Sequence, residues 1–219
     1  MNYERELDLL RLKLNEMFSL SIEAFKFSII SLEDSNVDMA RSIVDGDDEI
    51  DDIKRIIENM AYKILETFCP KGINLRRVVM VIKIANELER IADQAVNIAQ
   101  VTEFMNGRKL VKPLVDIPKM AQISQDMVRS SMRAYFEEDV ELAKKVWLTD
   151  EKVDQLDKKV IEDLKNVVIK DSNVEVVSQV ERLILVSRAI ERVADHATNI
   201  CEESVYMVLG KELYEILKG

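Results

Sequence analysis

The chain has 219 residues, 47% hydrophobic and 33% charged, with 31 Lys and Arg against 41 Asp and Glu for a formal charge of −10. Five glycines and three prolines are too few to punctuate an all-β sandwich, which takes a turn every ~8–12 residues. The acidic balance excludes the basic stripe of a nucleic-acid binder, and what remains is the composition of long amphipathic helices.

Taken from the N-terminus, Met1-Asn2-Tyr3-Glu4-Arg5-Glu6 carries no apolar stretch behind a basic patch, so no signal peptide is expected. No apolar run approaches the ~20 residues that span a bilayer. Cys69 and Cys201 form neither a CxxC pair nor a disulfide framework. A cytoplasmic protein with no membrane insertion is the expectation. Breakers at Pro70 and Gly72, across residues 107–118, and at Gly210 divide the chain, with softer polar boundaries at 33–37 and 171–173. Between them apolar residues recur at helical spacing, as in Val78, Val81, Ile84, Leu88, Ile91, Ala95 and Ile98. Six helices are predicted, at roughly 3–33, 37–68, 73–105, 114–136, 139–169 and 174–209.

Short turns make neighbouring helices antiparallel. The predicted architecture is all-α: two tandem, pseudo-symmetric three-helix bundles, over residues 1–108 and 109–219, joined by segment 107–118. The halves repeat in sequence. Glu89-Arg90-Ile91-Ala92-Asp93-Gln94-Ala95-Val96-Asn97-Ile98 matches Glu191-Arg192-Val193-Ala194-Asp195-His196-Ala197-Thr198-Asn199-Ile200 at seven of ten positions. Asp47-Asp48-Glu49-Ile50-Asp51 pairs likewise with Asp150-Glu151-Lys152-Val153-Asp154. An internal duplication is the simplest account.

The duplication yields four i, i+4 carboxylate pairs: Asp47/Asp51, Glu89/Asp93, Asp150/Asp154 and Glu191/Asp195. Each pair lies on one helix face, where like charges repel. A single such pair reads as solvated surface, with Arg90 or Arg192 reaching back to partners. Asp51, however, lies about 19 residues before the Pro70–Gly72 turn and Asp93 about 21 after it, which at ~1.5 Å per residue sets them at nearly one height. The second hairpin repeats the arrangement. Four carboxylates at one level, with Asn97 or Asn199 a turn further on, suit a hard or borderline cation such as Mg, Mn or Fe. The single histidine, His196, stands outside any Glu-x-x-His or His-Glu-x-x-His pattern. It reads as a polar neighbour on the helix surface, and no catalytic motif is visible.

The twofold Glu-Arg-x-Ala-Asp-x-Ala-x-Asn-Ile segment, the Glu/Asp-x-x-x-Asp pairs and the three-plus-three helix plan resemble the PhoU family of bacterial phosphate-uptake regulators over essentially the whole chain. The resemblance implies a non-enzymatic regulator acting with the cytoplasmic ATPase subunit of the phosphate ABC transporter and with the phosphate-sensing histidine kinase. It implies negative regulation when phosphate is plentiful. It also implies a homodimer and multinuclear sites for iron or another divalent metal (Mg, Mn, Zn). Carried onto this sequence, the metal motifs fall on Asp47, Asp51, Glu89, Asp93, Asp150, Asp154, Glu191 and Asp195, with Asn97, Asn199, Arg90 and Arg192 as supporting residues. Two other readings stand beside it: a helical scaffold without metal, and a metal-dependent enzyme, for which the sequence shows no base or redox ligand.

Overall fold

Asn2, Asn36, Asp139 and Asn173 each precede an apolar-periodic segment. Each side chain accepts a backbone N–H from the first turn beyond it, at Glu4, Met39, Leu142 and Val176 respectively. These caps satisfy donors that a helix start otherwise leaves open. A computed structural model describes residues 2–218; residues 1 and 219, the outer bounds of the two predicted bundles, lie outside it. Among the described residues there are nine helices and no strand. They are α1 (Tyr3–Glu33), α2 (Val37–Asp45), α3 (Asp47–Phe68), α4 (Ile73–Met105), α5 (Asp116–Glu137), α6 (Val140–Trp147), α7 (Asp150–Lys170), α8 (Val174–Leu209) and α9 (Leu213–Lys218).

Four of the six predicted helices run unbroken; the second and fifth are each two. The first break is at Gly46, whose N–H bonds Ser42 O before α3 starts. The second is at Leu148–Thr149, where the Thr149 hydroxyl donates to Lys145 O at 2.9 Å. Such bonding back to the preceding turn bends helices. Period alone did not reveal either bend, because the apolar rhythm continues through both. Helix α5 starts at Asp116, two residues later than predicted, and Pro118, placed in the linking segment, sits in its first turn, where its missing N–H costs no helical bond. The short α9 was not foreseen. It follows Gly210, which adopts positive φ (65°) as the cap of α8, and it buries Leu213.

Helices α1, α3 and α4 form one bundle, with α2 against α4 and α1; α5, α7 and α8 form the other, with α6 against α8 and α5. The bundles join along α4 and α8, which run antiparallel. Arg76 Nε donates to Met207 O at 2.9 Å, Lys83 Nζ meets Glu203 at 2.7 Å, and Glu87 meets His196 Nδ1 at 2.8 Å. Helix α4 is therefore covered on most sides, burying Val78, Val81, Ile84, Leu88, Ile91 and Ile98. Small residues at Ala85, Ala92 and Ala95 on α4, and Ala194 and Ala197 on α8, are buried as well, which permits close approach of the backbones. A second seam joins α1 to α5, where Arg11 Nη2 donates to Phe136 O at 2.8 Å.

Leu88 is fully buried and Leu12 is 65% exposed. Urea unfolding is expected to show Leu88→Ala losing about 2–5 kcal/mol, with Leu12→Ala changing stability by less than about 0.5 kcal/mol.

Candidate functional site

The two bends set where the acid pairs fall. Asp47 and Asp150 become the first residues of α3 and α7, at the helix ends where an anion is favoured by the dipole. Opposite them, Glu89 and Asp93 project from α4, and Glu191 and Asp195 from α8. Burial and the charges of Asp93, Asp51 and Glu89 together push the Asp47 carboxyl up to about 6. Asp93 is raised by burial, then by Glu89 and Asp51, with Lys54 opposing. In the second bundle burial, Asp195, Asp154 and Glu191 push Asp150 up to about 6. Glu191 is raised by burial and then Asp195, and Asp195 by burial and then Asp154. Each quartet is thus brought together, and like charge accumulates there at a cost.

The quartets are not equivalent. Lys54, one turn after Asp51, places Nζ 3.2 Å from Glu89 Oε1. The matching position after Asp154 is Asp157, which is 1% exposed. The Ser187 hydroxyl donates to Asp157 Oδ1 at 2.8 Å, and Arg188 Nη1 lies 2.8 Å from Oδ2 and 3.8 Å from Glu191. One bundle supplies its quartet with a lysine; the other adds a fifth carboxylate, answers it with an arginine, and sets Lys158 Nζ 4.0 Å from Asp154.

The expected supporting residues sit differently. Asn97 donates to Gln94 Oε1 at 3.3 Å, and Asn199 donates to Glu87 Oε2 at 2.9 Å. Among the described residues neither Arg90 nor Arg192 forms an ion pair with a quartet carboxylate. Both are exposed, though Arg192 lowers Asp195 electrostatically. Glu87, on the α4–α8 seam, would be raised by burial, but hydrogen bonds from His196 and Asn199 outweigh this and hold it below its ordinary value. His196 is largely buried at this seam, not a surface neighbour. Through Glu87 it ties α8 to α4 across the seam that joins the two bundles.

Sequence reasoning missed Lys54, Asp157, Ser187, Arg188 and Glu87. Aligning the repeats residue by residue sets Lys54 against Asp157 and Asn86 against Arg188, a charge exchange that flags four of these positions' surroundings. Glu87 had no such signal, since its counterpart is Ala189. In donor chemistry the quartets fit a hard cation: all-oxygen ligands whose mutual repulsion a positive ion relieves. In the present side-chain arrangement, no three Asp, Glu, His or Cys groups among the described residues converge closely enough to hold a metal ion.

Asp47 and Asp150 have folded values of about 6 against an ordinary 3.8. Groups raised in this way stabilise fully below the unfolded value, and that contribution is lost as pH rises through the folded one. With chelator present, the melting temperature is expected to fall between pH 4 and 7 on their account. Asp47→Asn combined with Asp150→Asn should flatten the fall in a thermal scan. Ser187→Ala leaves a buried carboxylate short of a donor and should cost about 1–3 kcal/mol by urea unfolding.

Comparison with known proteins bears on the same architecture. The PhoU domain model matches residues 14–102 and again 117–204, the two halves seen in the fold. A phosphate-specific transport system accessory protein PhoU homolog from Thermotoga maritima is 35% identical over 221 residues, covering 100% of this chain and 94% of the relative. A homolog from Clostridium acetobutylicum is 31% identical, covering 96% of each. The crystal structure of PhoU from Pseudomonas aeruginosa superposes with a TM-score of 0.91 at 27% identity, covering 96% of this chain and 100% of that one. With both halves matched and relatives similar from end to end, the chain belongs to the PhoU family.

Proposed function

We propose that this protein is a cytoplasmic, non-enzymatic regulator of phosphate uptake. In this reading it is an adaptor between the ATPase subunit of the phosphate ABC transporter and the phosphate-sensing histidine kinase, damping the starvation response when phosphate is plentiful. The observation that carries the reading is the duplicated carboxylate quartet on a fold shared with relatives in Thermotoga and Clostridium named as phosphate-specific transport accessory proteins. No helix among the described residues is long and apolar enough to cross a membrane, which is consistent with docking on a transporter from outside the bilayer.

In this reading Asp47, Asp51, Glu89 and Asp93 would hold iron or another divalent metal in one bundle, and Asp150, Asp154, Glu191 and Asp195 in the other. Bound metal would supply positive charge and a cross-link between helices. The protein's own residues do the rest. The α3–α4 and α7–α8 hairpins hold the acids at one level, and the Glu87–His196–Asn199 seam fixes one bundle against the other. Lys54 already neutralises Glu89 in part, as Arg188 and Lys158 do Glu191 and Asp154 in the second quartet. A metal-free adaptor is the second reading, favoured by the lack of three converged ligands among the described residues.

Co-purification of the tagged protein with the transporter ATPase and with the kinase, at high and low phosphate, tests the adaptor. Retention of both partners at high phosphate is expected, and loss of neither partner's signal on deletion of the tagged gene would refute it. Metal content by elemental analysis separates the two readings. Stoichiometric metal that falls by at least about tenfold in occupancy with Asp93→Ala plus Asp195→Ala supports the metal-bound form; retention of both partners without metal supports the other.

A further inference from the structure

The internal repeat provides a comparison within one molecule, and it extends to two surface grooves. One, of about 240 Å³, opens between α1, α2, α3 and α4, with Leu20, Ala24, Ile43 and Ile50 inside it and Phe27 at its lip. The other, of about 360 Å³, lies in the second bundle. Their linings correspond through the repeat: Leu20 with Ile123, Ala24 with Met127, Ile43 with Val146. The charges do not correspond. Glu23, Asp47 and Glu49 are the ionisable residues of the first groove, and among the described residues none of them takes part in an ion pair. At the matching positions Glu49 is replaced by Lys152 and Ser42 by Lys145, while Asp126 accepts a hydrogen bond from Gln122. The apolar lip differs too. Phe27 is 39% exposed, and its counterpart is Ser130.

An apolar trough edged only by unpaired carboxylates is complementary to a helix with apolar residues along one face and lysine or arginine beside them. At about 240 Å³ the first groove has room for a large apolar side chain such as Leu, seated over Ala24. Free carboxylates at its edge repel an anionic lipid surface and an acidic peptide alike. The second groove is lined at matching positions but carries the opposite balance of free charge, so it does not serve the same occupant.

We infer that the groove between α1, α2, α3 and α4 is a docking site for a basic amphipathic helix of a partner protein, and that its repeat in the second bundle is not. The inference deepens the adaptor reading, on which its role in the cell rests, by naming the face and the chemistry of one partner. Asp47 belongs both to this groove and to the first carboxylate quartet, so an occupant's cationic side chain lies next to the candidate metal site.

The test uses the full chain and a fluorescein-labelled helical peptide with leucine at i, i+3, i+4 and i+7 and lysine elsewhere, alongside the same peptide with glutamate for lysine. Fluorescence anisotropy should show the lysine peptide binding and the glutamate peptide not binding. Ala24→Met, which places a longer side chain in the groove, should weaken binding by roughly tenfold or more. Ser42→Lys and Glu49→Lys, at exposed positions where folding is not at risk, should do the same. Lys152→Glu in the second groove should leave binding unchanged. Equal binding to wild type and to the three first-groove variants overturns the inference, as does tighter binding of the glutamate peptide. So does binding of wild-type protein to phosphatidylglycerol vesicles that the variants lose. Concentration-dependent dimers in sedimentation, abolished by the same variants without any peptide effect, would overturn it in favour of a second copy. Co-purification with the transporter ATPase is independent of all these outcomes, so the adaptor reading can survive the loss of the groove.

Discussion

The antiparallel packing of α4 on α8 is the contact on which the rest of the structure depends. Both helices are the last and longest of their bundles, and each carries the second acid pair of its quartet. Because they run in opposite directions, the residues near 91–93 on α4 come beside those near 191–195 on α8, and the two quartets lie close to one internal pseudo-twofold axis. Alanines at 85, 92, 95, 194 and 197 are buried along these helices, so the backbones approach closely. The polar pairs from Arg76 to His196 then fix the register. Sliding the helices by a turn would separate Glu87 from His196 and Asn199 and leave a buried carboxylate without donors.

Within each bundle, the bends at Gly46 and Thr149 do comparable work on a smaller scale. They convert one long amphipathic segment into a short helix that lies across the bundle and a longer one that begins at the first acid. The result is a quartet whose charges raise one another and are only partly answered. Lys54 answers the first quartet, and Arg188 the second. The duplication therefore preserved the positions of the acids while the counter-charges diverged. The same divergence appears at the surface grooves, where lining positions correspond and charge is exchanged.

Much of the fold was legible in the sequence because its signals are local. The apolar rhythm of Val78 to Ile98 specified α4 over most of its length, the polar boundaries at 33–37 and 171–173 fall at observed helix starts, and the repeat predicted two like halves. The bends were not legible, since a hydroxyl bonding back to Lys145 O leaves no mark on apolar period. The linking segment and the fourth helix overlapped in the sequence, because Pro118 reads as a breaker although the first turn of a helix accepts it. Among the candidate site residues, the eight carboxylates could be found from spacing and height alone. The hydrogen bonds that Asn97 and Asn199 donate to Gln94 and to Glu87 could not be read from spacing, and Glu87 belongs to the other bundle from Asn199.

The sequence by itself determined the helical class, the duplication and the presence of eight carboxylates in four pairs, since all three follow from composition, period and spacing along one chain. Which cation answers each quartet was decided only by tertiary structure. Lys54 reaches Glu89 across a hairpin, Arg188 reaches Asp157 across another, and His196 meets Glu87 between bundles. These are meetings of residues from different helices, governed by packing distance, and no pattern along a single helix encodes them.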